Sequence, residues 1–216
     1  MKRLLPLLFV AACASGPPVP EWQDDAHSAM ERATAAWLAG DTRGHELAMR
    51  QARSALSSTG RAELLARAEL MRCAARVASL VFEPCERFEV LRADAAAPER
   101  AYAEHLTGRA LAPADIAALP AAQRPVAMAV ASGAPASVAA IDDPLSRLIA
   151  TAVLFRAGQA SPPMIEQATE TASAQGWRRP LLAWLKLQAL AAERAGDAAS
   201  AQRLQRRIAL VESGGK

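Results

Sequence analysis

Three cysteines, three histidines and scattered carboxylates are the groups with chemistry to offer in these 216 residues. Cys13 has the most telling surroundings. It follows Lys2-Arg3, the apolar block Leu4 to Val10, and the small residues Ala11-Ala12. A basic start, a short apolar run and small residues before a cleavage point form the pattern of a secretory signal. The run is too short for a bilayer-spanning helix, which needs about 20 apolar residues. An ordinary signal peptide with an incidental cysteine, or a buried N-terminal helix, are the plainer alternatives. His27, His45 and His105 fall on three separate predicted helices, in no metal-ligand spacing such as HExxH. Surface or cap roles are expected for them, and neither a metal nor a cofactor is. No GxSxG, P-loop or GxGxxG occurs, and Asp142-Asp143 suits a helix start, where the macrodipole favours anions. No catalytic set stands out, so the chain is not expected to be an enzyme.

The quartet Val10-Ala11-Ala12-Cys13 resembles the lipobox of bacterial lipoproteins. The resemblance implies that residues 1–12 are a signal peptide and that Cys13 becomes the lipidated mature N-terminus. Members of that family carry a diacylglyceryl thioether and usually an amide-linked chain. Two or more chains anchor stably where one binds only marginally. Ala14 stands where the family places the aspartate that retains a protein in the inner membrane. The implied address is therefore the outer membrane of a Gram-negative cell, on the periplasmic face. Residues 13–21 form a short tether with Pro17, Pro18 and Pro20. Such a segment extends by about 3.1 Å per residue and keeps the folded part close to the membrane. Three lysines against 22 arginines, with abundant alanine, agree with a GC-rich bacterial genome.

With Cys13 spent on lipid, Cys73 and Cys85 remain as a pair in an oxidising compartment. They bracket the end of one predicted helix and the start of the next segment, so a disulfide across that corner is expected. Two free buried thiols, behaving as small hydrophobes, are the alternative. Loss of Lys2 and Arg3 leaves 23 of the 25 basic side chains against 22 acidic ones, a net charge of about +1. That near-neutral balance excludes nucleic-acid binding, which needs a clustered basic face.

The elements that must position these groups are helices. Apolar residues recur at helical spacing over Glu21 to Ala39, from Thr42 to Leu56, and from Arg61 to Val81. Residues 85–94 form a short predicted helix with Phe88 and Leu91 inward, and another opens at Ala97-Pro98. Residues 109–144 are irregular, with Pro113, Pro120, Pro125, Pro135 and Pro144. Prolines at first turns predict short helices at 113–119, 121–132 and 135–141. A partly mobile loop is the alternative. Regular helices return from Pro144 to Phe155, from Pro162 to near Gly176, from Trp177 to Ala195 and from Asp197 to Val211. No hairpin dipeptide lies between alternating strands. The expected fold is all-α, a single domain over residues 22–213, built of antiparallel helical hairpins.

Gly40-Asp41 and Gly196-Asp197 each sit between two predicted helices, and Gly158-Gln159 repeats the glycine alone. The C-terminal pair resembles tetratricopeptide-type repeats, with Ala189 and Ala201 at the small positions flanking the turn. The match is degraded around Gly40, where His45 replaces a small residue, and the spacing from Gly158 to Gly196 exceeds the family period. A TPR-like solenoid and a plain helical bundle using Gly-Asp as cap chemistry both remain open. Trp37, Trp177 and Trp184 could line a groove for a partner's helix or peptide, or pack the core. Arg178-Arg179, Arg203 and Arg206-Arg207 form a modest basic surface, suited to anionic headgroups, an acidic partner or plain solvation. The expected function is an outer-membrane-anchored periplasmic scaffold or assembly factor that binds another envelope protein. The alternatives are an envelope enzyme or small-ligand binder with its site in residues 109–144, and a purely structural lipoprotein.

Overall fold

The computed structural model describes residues 20–214, so the expected signal peptide, Cys13 and most of the expected tether lie outside the described residues. Alanine and leucine at helical spacing, punctuated by glycine and proline, give eleven α-helices and one 3₁₀ turn among the described residues, with no strand. The all-α expectation is met. The chain opens with a hairpin of α1 (Glu21–Ala39) and α2 (Thr42–Ser57) and closes with one of α10 (Arg178–Arg194) and α11 (Ala198–Ser213).

Both hairpins turn on Gly-Asp, and the two residues divide the labour. Gly40 takes φ +92°, a left-handed conformation that costs glycine nothing, and the N–H of Asp41 returns to the Ala36 carbonyl at 2.8 Å. The Asp41 carboxylate then accepts from the Gly44 N–H at 2.8 Å and caps α2. At the other end Asp197 N–H returns to the Ala192 carbonyl, and its carboxylate accepts from Ser200 N–H at 3.0 Å.

Between the hairpins lie α3 (Ala62–Val77), α4 (Glu86–Glu89), α5 (Ala97–His105), α6 (Pro113–Ala118), the 3₁₀ turn Ala121–Gln123, α7 (Arg124–Ser132), α8 (Pro144–Arg156) and α9 (Pro162–Ala174). Helix α3 is the hub: it packs against α1, α2, α5 and α8. Its buried Leu70, Ala74, Val77 and Ala78 join Leu148, Val153 and Leu154 of α8 in the main core. Helix α1 also meets α10. A stack in which each repeat touches only its neighbours makes no such contact. The two ends of the chain are tied together through α3 and α10. A buried Arg53–Glu69 ion pair fixes α2 on α3.

Close approach elsewhere needs small residues. Gly108, at φ +73°, ends the turn after α5, and a Cβ there would lie 3.0 Å from Arg156 Cβ and 3.1 Å from the Ala157 nitrogen. That contact lets Arg156 donate to the Leu106 carbonyl at 3.1 Å.

Three local expectations change. The third helix stops at Val77 rather than 81, because Leu80 turns left-handed at φ +57° and Val81 N–H folds back to the Arg76 carbonyl. The helix expected over 85–94 is one turn, Glu86–Glu89, followed by hydrogen-bonded turns that still bury Phe88. No helix forms over 135–141. Gly133 ends α7 left-handed, and Pro135 disfavours helix at Ala134. Val138 and Ile141 instead drop into the core as single anchors. The rest of 109–144 is also built in, with Leu119, Gln123 and Val126 buried.

Cys73 and Cys85 form a disulfide with a Cα–Cα distance of 5.9 Å, across the corner between α3 and α4. Closing a loop of this size stabilises by about 3 kcal/mol on the chain-entropy account. Cys85→Ser is therefore expected to lower the unfolding free energy by about that much. Urea titration of the oxidised protein and the variant, in parallel with reduced wild type, measures it.

Candidate partner-binding groove

The aromatic residues expected to line a groove are anchors instead. Trp184 is fully buried, and its indole N–H donates to the Ala78 carbonyl at 3.1 Å. Trp37 is 5% exposed, and its N–H reaches the Ala75 carbonyl at 3.0 Å and Ser79 Oγ at 3.2 Å. Trp177, half-buried at the start of α10, packs on the cluster of Trp37, Leu38 and Ala75. Indoles bury large apolar areas, and the N–H of Trp37 and of Trp184 finds a carbonyl, while Trp177 contributes apolar packing at the same joint. Of the two readings open for Trp37, Trp177 and Trp184, a partner groove or core packing, these contacts are those of packing at a joint between helices.

The expected basic surface divides in the same way. Arg179 lies over the Trp37 ring, 3.9 Å from its centre, and donates to the Trp37 carbonyl at 2.8 Å and Thr42 Oγ1 at 2.8 Å. Burial, with Arg76 nearby, holds its pKa below the usual arginine range. Arg178 donates to the Val211 and Glu212 carbonyls at the end of α11. Both are tethers between segments. Arg203, Arg206 and Arg207 stay exposed on α11.

Two of the three histidines also depart from expectation. His27 is exposed and lies 3.2 Å from Glu31 one turn on. His45 is buried, and because a carbonyl only accepts, its Nδ1–H donates to Ala33 at 2.9 Å. His105 is buried too; its Nε2–H donates to Gln123 Oε1 at 3.1 Å, while Gln123 donates to the Ser146 carbonyl at 2.9 Å. Burial lowers the pKa of both. Unfolded, each takes its proton near 6.5. The folded state resists that proton, so stability is full above about pH 6.5 and falls as the pH drops toward the lowered folded values. With two such groups the slope approaches about 2.7 kcal/mol per pH unit at most. Urea midpoints at pH 7.5, 6.5 and 5.5 should decline, and His105→Gln, which keeps a donor toward Gln123, should shallow the decline.

Among the described residues no three His, Cys, Asp or Glu side chains converge as a metal site requires. Nor is any described helix long and apolar enough to cross a membrane. The irregular 109–144 segment borders one hollow of about 320 Å³, where Leu119 and Pro120 face Leu70, Met71 and Tyr102. The Arg67–Glu99 ion pair, 2.7 Å from Nε to Oε1, lies at its rim. A second hollow of about 350 Å³ adjoins it at Arg67 and Met71 and runs to Trp22.

A larger concavity lies elsewhere. A groove of about 870 Å³ runs along α10, between α9 and α11. Its floor is Leu187, Ala191, Ala192 and Ala195; Ile165 rises on the α9 wall and Leu204 on the α11 wall. No family model, curated protein or solved structure matches this chain. What the groove can do therefore rests on its own residues. Helix α10 buries one face through Leu181, Trp184, Leu185 and Ala189, and the flank beside that face, with Leu187, Ala191 and, at the C-cap, Ala195, lines the groove. Alanine leaves the floor low, so another backbone can approach closely. Glu170 of α9 and Arg207 of α11 pair at 3.0 Å across the two walls and close one end. Sequence reading missed this surface because Ala191, Ala192 and Ala195 look like ordinary helix filler. The available signal was the pair of carboxylates Glu166 and Glu170, one turn apart, matched by Arg203 and Arg207 at the same interval.

Proposed function

We propose that the protein is an outer-membrane-anchored lipoprotein whose helical domain serves in the periplasm as a scaffold for another envelope protein. The lipid on Cys13 fixes it to the membrane, and the short proline tether keeps the domain near the surface. The groove over α10 takes up a segment of the partner. The single observation that carries the reading is this groove: about 870 Å³, apolar along its floor and rimmed by charge. That is the anatomy expected of a protein-binding surface, with an apolar centre and a polar rim.

The test is affinity purification of the native lipoprotein from detergent-solubilised membranes, followed by mass spectrometry. A stoichiometric envelope protein is the expected result. Recovery of the lipoprotein alone, together with turnover of a cell-wall substrate by the purified domain, overturns the reading in favour of an envelope enzyme.

A further inference from the structure

We infer that the occupant of the α10 groove is an amphipathic helix of the partner, carrying a carboxylate toward α11 and a cation toward α9. The inference rests on the scaffold reading above and deepens it. Helices α9 and α11 each run antiparallel to α10 as successive hairpin partners, so their residues advance along the groove in the same direction. Glu170 and Arg207 meet across it and form a closed rung. One turn earlier on the same walls stand Glu166 and Arg203. Both are exposed and both line the groove, yet neither has an ion-pair partner among the described residues. Arg203 only donates to Ser200 Oγ on its own helix, at 2.8 Å.

The contrast between the two rungs has a direct physical sense. Opposite charges at the same register pair where the walls approach and stay apart where the groove is open. The open rung lies over Ala191, Ala192 and Ala195. Ala191 and the C-cap Ala195 stand one turn apart, with Ala192 beside them, and the stretch from Leu187 to Ala195 spans about 12 Å at 1.5 Å per residue. That matches about two turns of a helix. An entering helix with leucine-like residues at i, i+3 or i+4 and i+7 sets them on the alanine floor. Its flanks then present one charge to each wall, and the Glu166–Arg203 polarity selects which flank is acidic. An extended chain laid over a helical floor would leave its backbone N–H and C=O groups without partners. A helix satisfies its own.

The experiment places a benzophenone amino acid at Ala191 or Ala195 in the full-length, membrane-anchored protein, with the exposed Ala209, on the side of α11 away from the groove, as an outward control. Cross-linking is done in intact cells, and the captured segment is sequenced by mass spectrometry. The expected segment has apolar residues at helical spacing with acidic and basic residues on opposite flanks. A synthetic peptide of that segment should bind the purified domain as a helix. Arg203→Glu should weaken it about tenfold or more, and a peptide with its acidic residue changed to lysine should recover binding to Arg203→Glu. An extended or proline-rich captured segment overturns the inference and leaves the scaffold standing. So does capture of a second copy of this chain or of lipid. Cross-links from Ala209 but not from the groove positions overturn the groove assignment alone. Absence of any protein cross-link, with no co-purifying partner, overturns scaffold and helix together.

Discussion

Trp184→Ala is expected to cost about 4 kcal/mol of unfolding free energy, within the 3–5 kcal/mol range for large aromatic truncations. Trp184 has no exposed surface and packs edge-on against Phe155, with ring centres 6.4 Å apart. It also carries the one indole bond between α10 and the end of α3, to Ala78 106 residues away in sequence. Removing it opens a cavity at the joint between the two halves of the chain and leaves the Ala78 carbonyl without its donor. A single domain holds only about 5–15 kcal/mol in total. The variant is therefore expected near its unfolding transition at moderate temperature. Trp184→Phe separates the two contributions: it refills much of the cavity but leaves the carbonyl unpaired, at a cost of about 1–3 kcal/mol. Thermal and urea unfolding followed by circular dichroism measures both. Equal losses for the two variants would mean that the hydrogen bond, not the volume, dominates.

Cys13→Ser is expected to abolish membrane attachment. On the proposed lipid anchor the attachment free energy comes from the acyl chains, at about 0.8 kcal/mol per buried CH₂. Without the thiol, lipid transfer has no acceptor. Labelling with a radioactive or clickable palmitate should mark the wild-type chain and not the variant. The variant should leave the membrane pellet on fractionation. Labelling that persists in the variant, or pelleting unchanged by the substitution, would contradict the lipid assignment.

Much of the fold was legible in the sequence where local chemistry decides it. Gly40-Asp41 and Gly196-Asp197 read as turn and cap, and they behave as turn and cap. Prolines 113, 144 and 162 read as helix starts and serve as such. The Cys73–Cys85 bridge followed from parity and position. What escaped was decided by partners distant in the chain. Trp37 is a groove residue or an anchor depending on whether Arg179, 142 residues away, stacks on it and bonds its carbonyl. The periodicity of α1 holds no trace of that. Residues 135–141 have helix-forming composition, yet Val138 and Ile141 gain more by entering the core singly than by completing a short helix with a proline near its start. Alanine-rich helices add an ambiguity of their own. Ala189 is buried while Ala191 on the same helix is exposed, and nothing in the residue type separates them. The groove was hidden in that ambiguity.

The α10 groove as the partner's seat is the central claim, and one substitution tests it most directly. Ala191→Glu sets a charge on the exposed floor without disturbing the buried face of α10, and Ala209→Glu sets the same charge on an exposed position of α11 outside the groove. Both proteins, with wild type, are purified from solubilised membranes and the co-purifying partner is quantified by mass spectrometry. Ala191→Glu is expected to reduce the recovered partner about tenfold or more, because a charge is forced into a desolvated apolar centre, while Ala209→Glu matches wild type. Undiminished partner on Ala191→Glu, with folding shown intact by circular dichroism, would contradict the claim.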